Sequence, residues 1–339
     1  MIRNILSSTN QRLLESFPDE LFLEIFQYID ILTLRSFKGL NKRIDSIINT
    51  VNNIILVVEL TQNSTNDFAY FFKFNPKQIF HLKLCSTLWS SLNFMMFTEL
   101  RSLTFDCDYL TKDQINQIIQ FNLPYLKRLS IFNMKYFLQQ VFFYKIIRGE
   151  HFPSLKTCHF DFNDNSELKL NSYKLSSRNI IRSLSINKWN WSKLDFLFQQ
   201  FQYLFRFETY LEDSYSSIDL IQPCLTLKYL KITFNTSVIS SLEQLLKWTP
   251  NLIRLRVRGN LEKSTVNVYF IEMANYLPTL VPYLQQFDCE LYYYMNENEY
   301  NNPLIIQKYS PFFERVRCLY GQGGNRCFTT DMETYSYGK

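Results

Sequence analysis

The chain has 339 residues, 46% of them hydrophobic and 17% aromatic, with 36 Lys+Arg against 31 Asp+Glu and a formal net charge of +5. That is ample material for a core and excludes global disorder. Only seven residues are glycine, about 2% where roughly 7% is usual. Phosphate-cradling loops and nucleophile elbows, which need backbone that approaches a ligand or takes positive φ, therefore start at a disadvantage. The length suits two or three ordinary domains, or one small module plus a repeat array. Seven cysteines, at 85, 107, 158, 224, 289, 318 and 327, form no C-x-x-C pair. They read as buried, reduced thiols of a cytoplasmic or nuclear protein. No signal-peptide stretch opens the sequence, and IILVV at 54–58 and FAYFF at 68–72 are too short to span a membrane. On that reading the N-x-S/T triplets at Asn63, Asn190 and Asn235 are chance matches.

After a stretch at 1–13 expected to be disordered, the first element begins at Ser16 with SFPDELFLEIFQYI. Pro18 suits a first helical turn, and Asp19 and Glu20 lie where the helix dipole favours acids. Leu21, Phe22, Ile25, Phe26 and Ile29 recur at helical spacing and predict a wide apolar stripe. Beyond a short link at 30–33, Phe37, Leu40, Ile44, Ile47 and Ile48 predict a second helix. Residues 14–30 carry five acids and no base, whereas 35–43 carry four bases and no acid. A helical hairpin of about 45 residues is marginal alone and is expected to lean on something.

The stretch FPDELFLEIFQYIDILTLRSFKGLNKRI resembles an F-box. Pro18, Glu20, Leu21, Ile25, Phe26, Leu34 and the pair Lys42-Arg43 fall in the family's pattern without a gap over about 30 residues, while Asn41 and Ile44 depart from its usual Cys and Trp. The resemblance implies a helical module over 14–60 that packs against a Skp-type adaptor, and through it a cullin and a RING subunit. It implies Pro18, Glu20, Leu21, Ile25, Phe26, Ile29 and Leu34 as adaptor-binding positions; some of these must instead hold the module's own helices together.

From residue 79 the frame L-x-x-L-x-L, with aliphatic, Phe or Cys substitutes, returns at Ile79, Leu100, Leu126, Leu155, Ile181, Leu204, Leu227, Leu252, Leu284 and Phe313. Nine intervals average 26 residues, within the range of leucine-rich repeats, in which a short strand lines the inside of an arc and a helix returns outside. Asn163, Asn235 and Asn260 occupy the repeat's Asn position, Leu204 opens the weakest frame, and the interval from Leu252 to Leu284 is long. Segments 112–121, 191–201 and 237–248 read as outer helices. Between the apolar positions of each strand the residues are mostly polar, as a solvated face requires; a buried parallel sheet would read as continuous apolar runs. The expected architecture is an α/β solenoid: a helical module at 14–60, an arc of about ten irregular repeats over 61–320, and a flexible tail at 321–339.

On the inner face of such an arc, Arg254, Arg256 and Arg258 fill one repeat, with Lys231 before them and Arg315 and Arg317 beyond. Guanidinium forks suit carboxylates or phosphates, so these six are the candidate substrate-binding residues. The competing reading is cross-strand pairing with Asp288 and Glu290. The inner positions hold nine bases (adding Lys83, Arg128 and Arg206) and five acids (adding Asp106, Asp161 and Glu208), close to the charge of the whole chain. His81, His151 and His159 form no H-E-x-x-H, and no nucleophile carries a recognised local signature, so no catalytic or metal residue and no cofactor is expected. Gly321, Gly323 and Gly324 read as a flexible end, the Trp and Tyr residues as core, and Tyr292–Tyr294 as core packing before an exposed patch. The expectation is a non-catalytic substrate receptor of an SCF-type ubiquitin ligase, with a protein substrate and no membrane partner. The alternative is a scaffold that binds nucleic acid or another polyanion through the basic stripe.

Overall fold

The structure, a computed structural model, describes residues 17–29, 31–51, 54–59, 75–85, 96–109, 111–120, 122–134, 138, 142–143, 146, 152–162, 180–212, 222–234, 239–261, 266–294, 303–320 and 325–331. The chain is mixed α/β, its strands pairing mostly in parallel, and it divides into two compact units, 1–130 and 131–339.

In the first unit, helix α1 (Asp19–Tyr28) begins directly after Pro18 with Asp19 and Glu20 in its first turn. The stripe expected to form one second helix forms two, α2 (Ile31–Phe37) and α3 (Lys42–Thr50). Gly39 separates them at φ 86°, a conformation that costs glycine little. Asn41 then caps α3, its side chain accepting from the Ile44 N–H at 2.8 Å. Phe22, Phe26, Leu34, Ile44, Ile47 and Ile48 form the core between the helices, with Phe26 against Phe22 (5.5 Å) and Phe37 (5.3 Å).

Residues 54–59 form strand β1 (Ile54–Glu59), which pairs in parallel with β2 (Ile79–Cys85). Buried Gln78 donates from Nε2 to the carbonyls of Ile48, Asn49 and Val51 at 2.7–3.0 Å. It thereby satisfies groups that the end of α3 leaves open. Gln78 thus ties the end of α3 to the start of β2, and both lie in the unit 1–130. This unit continues with β3 (Ser102–Asp106), parallel to β2, and helix α4 (Lys112–Gln120). Strand β4 (Arg128–Met134) crosses the boundary.

The second unit holds β5 (Thr157–Phe162), β6 (Ser183–Asn190), β7 (Arg206–Glu212), β8 (Tyr229–Phe234), β9 (Arg254–Leu261) and β10 (Gln286–Tyr294), each parallel to the next. Helices α5 (Leu194–Gln200) and α6 (Ile239–Trp248) lie where amphipathic segments predict them. The long interval before Leu284 is filled by the 15-residue helix α7 (Val266–Leu280). All ten frame-opening residues, from Ile79 to Phe313, are buried. Even the Leu204 frame gives a regular strand, because Phe207 and Leu211 occupy its buried positions as well as leucine would. Five of the frames are set by a turn with proline at its second position: Pro124, Pro153, Pro250, Pro282 and Pro311. The turns close by i to i−3 hydrogen bonds of 3.0–3.3 Å, the backbone that proline pre-sets.

The C-terminal end departs from the repeat pattern. After helix α8 (Pro303–Tyr309), the tenth frame supplies strand β11 (Arg317–Tyr320), and β12 (Asn325–Thr329) inserts antiparallel between β10 and β11. The tail expected to be flexible from 321 therefore contains a strand. The cause is apolar: Phe328 is fully buried 5.8 Å from Phe270, in a cluster with Phe313 and Phe287. The expectations for 1–13, His151, Asn163, Asn235, the glycines at 321–324 and 332–339 lie outside the described residues. Among the described residues no helix is long and apolar enough to cross a membrane.

Candidate interaction surfaces

Helix α1 sorts its apolar stripe into two rows. Phe22 and Phe26 point into the module, while Phe17, Leu21, Ile25 and Tyr28 remain exposed at 40%, 36%, 41% and 84%. Leu21, Ile25 and Tyr28, four and three residues apart, lie along one helical face, while Phe17 precedes the helix and packs edge-on against Phe22 at 6.1 Å. Of the positions implied for an adaptor, Pro18, Glu20, Leu21 and Ile25 lie on the surface and Ile29 is half-buried. Phe26 and Leu34, at 2% and 1% exposure, belong to the module's own core, the role that the resemblance leaves open for some of these positions. Tyr28 was not among the expected positions; its spacing from Leu21 and Ile25 is the signal that finds it. The entry to α1 is tied down by Arg43, which bridges Asp19 at 2.6 Å and donates to the Phe17 carbonyl. Lys42-Arg43 of the motif thus contributes a structural cation.

The second surface is the solvated face of β7–β10. Strand register sets Asp288 beside Arg256 and Glu290 beside Arg258. Glu290, buried at 5% exposure, takes Arg258 at 3.3 Å and Arg256 at 4.0 Å and accepts a hydrogen bond from the Tyr292 hydroxyl. Burial and that carboxylate push the Tyr292 hydroxyl up to about 12. Arg256 also meets Asp331 at 3.4 Å, brought there by β12. Lys231 bridges Glu208, and Arg254 lies over the Tyr229 ring at 5.7 Å. Arg315, in the turn before β11, reaches Asp288 at 3.2 Å, although β12 separates β11 from β10. Arg317 donates to the carbonyls of Glu314 and Val316. Register carries Arg317 to the same face, its partner Thr329 lying beside Glu290, and four of the six candidates, Lys231, Arg256, Arg258 and Arg315, are engaged by the chain's own carboxylates.

Nucleophilic chemistry finds little here. Burial pushes the Cys158 and Cys289 thiols far up and Cys327 to about 12, so they hold their protons. His159 bonds the Ser185 hydroxyl at 2.9 Å, and burial holds its imidazole below the usual range against the opposing pull of Asp161 and Glu208. Among the described residues no three His, Cys, Asp or Glu side chains gather as a metal would need. No family model matches the chain, and no curated protein sequence matches it.

Proposed function

We propose that the chain is a non-catalytic substrate receptor of an SCF-type ubiquitin ligase, its N-terminal helices docking as an F-box on a Skp-type adaptor and its repeat strands, read as a leucine-rich-repeat solenoid, holding a protein substrate. The observation that carries this reading is the row Leu21, Ile25 and Tyr28, left exposed on a helix whose other apolar row already closes the module's core. Each such side chain buried at a partner contributes roughly 1.5–3 kcal/mol, enough for a few to anchor a complex. The motif resemblance selects the adaptor as that partner. Reconstitution tests it: the full chain mixed with a Skp-type adaptor should elute as one complex, and Leu21→Asp with Ile25→Asp should abolish it. A wild-type chain that elutes alone sinks the reading. The polyanion alternative has less support on the arginine face, because Arg256, Arg258 and Arg315 already have carboxylate partners.

A further inference from the structure

The starts of the strands in the second unit form a surface unlike their faces. Successive backbone bonds run from the N–H of Arg182 to the Lys156 carbonyl, Phe205 to Arg182, Lys228 to Phe205, Ile253 to Lys228, and Gln285 to Ile253. These six positions therefore lie side by side, one per strand, in a row of about 24 Å at the ~4.8 Å strand spacing. The row and the positions following it carry Lys156, Arg182, Arg206, Lys228 and Arg254. The turns and strand starts at 152–157, 180–183, 201–206, 224–229, 249–254 and 281–286 contain no Asp or Glu. Among the described residues Arg206 reaches Glu208 only at 3.7 Å, and Lys156, Arg182, Lys228 and Arg254 form no ion pair. Between the cations, Ile180, Tyr203, Phe205, Leu225 and Tyr283 are exposed. At one end of the row an open recess of about 410 Å³ is walled by Ile253, Pro282, Tyr283 and Leu284, with Lys228 and Gln285 at its polar side.

We infer that this strand-start edge binds a linear acidic peptide segment, with one bulky apolar side chain of the peptide seated in the recess beside Lys228. Unpaired cations without a neighbouring acid call for an anionic partner, since each can gain charge-assisted hydrogen bonds at little cost in existing pairs. A recess with apolar walls fits a side chain, whereas a bilayer presents a flat surface. About seven extended residues match the length of the row at ~3.3 Å each. The inference deepens the receptor reading by naming the class of substrate and where it docks. Its test leaves the adaptor out, so each can fail alone.

A phage library of random twelve-residue peptides would be selected on the immobilised full chain, and the best peptide, fluorescein-labelled, titrated by anisotropy. The expected consensus has Asp or Glu flanking a Leu or aromatic residue. Affinity should fall about tenfold or more in Lys228→Glu with Arg182→Glu, and should hold in Lys77→Glu with Lys112→Glu, an equal charge change at exposed positions of the first unit. Should the doubly reversed chain fail to fold, Lys228→Gln with Arg182→Gln must still weaken binding. A selection without acidic enrichment, or peptides that bind these variants as well as wild type, overturns the inference. So does preferential binding of phosphatidylserine vesicles or of a 20-nucleotide RNA over the selected peptide.

Discussion

Helix α1 and the face of β8–β10 both expose groups that a partner could use, but they differ in what those groups lack. The arginines of β9 look like a docking patch in sequence, yet Glu290 lies in register with Arg258 and engages Arg256 as well. On α1, Leu21, Ile25 and Tyr28 are exposed while Phe22 and Phe26 complete the fold without them. Exposure alone therefore does not mark an interface. A surface calls for a partner where its groups have none within the chain, and the α1 row meets that condition better than the arginine face does.

Substitutions should separate the two rows of α1 most sharply. Phe26→Ala should cost about 3–5 kcal/mol, as truncation of a buried aromatic does, and lower the melting temperature by many degrees. Leu21→Ala on the outer row should stay within about 0.5 kcal/mol. Equal losses in thermal denaturation would erase the distinction. On the arginine face, Glu290→Gln leaves two guanidinium groups without their shared charge. Because both arginines are a third to a half exposed, the cost is discounted to about 1–2 kcal/mol, measured as a shift in urea midpoint. A neutral or stabilising result would mean that those cations are available for an outside ligand. Asn41→Ala removes the α3 cap and should cost about 1 kcal/mol.

A smaller effect depends on pH. Burial and the nearby Arg128 and Arg101 hold the His81 imidazole below its usual value, and burial does the same for His159. The unfolded chain therefore takes up protons near pH 6.5 that the folded chain refuses until lower pH. Stability should be fully present above that value and decline as pH falls through it. Urea midpoints at pH 7.5 and 5.5 read the decline, and His81→Gln with His159→Gln should reduce it. An unchanged decline would place its origin elsewhere.

Much of this was readable from periodicity. Apolar frame positions identify strands because burial alternates along them, and all ten frame openings are buried. Periodicity does not reveal neighbours, so β12 entering between β10 and β11, and Asp331 arriving at Arg256 with it, had no local signature. The split of α2 from α3 was written in Gly39 and Asn41, both of which an apolar stripe overrides when read alone. For α1 the stripe was wider than one face. Residues 21 and 22 are both apolar and about 100° apart, and only packing against Leu34, Ile44 and Ile48 decides which is core.

The central claim is that the outer row of α1 is an adaptor surface, and size-exclusion chromatography of the full chain with a Skp-type adaptor tests it most directly. The account predicts a single complex for the wild type and separate peaks for Leu21→Asp with Ile25→Asp, whose melting temperature stays near that of the wild type. A wild-type chain that elutes apart from the adaptor, or a double variant that still binds it, would contradict the claim.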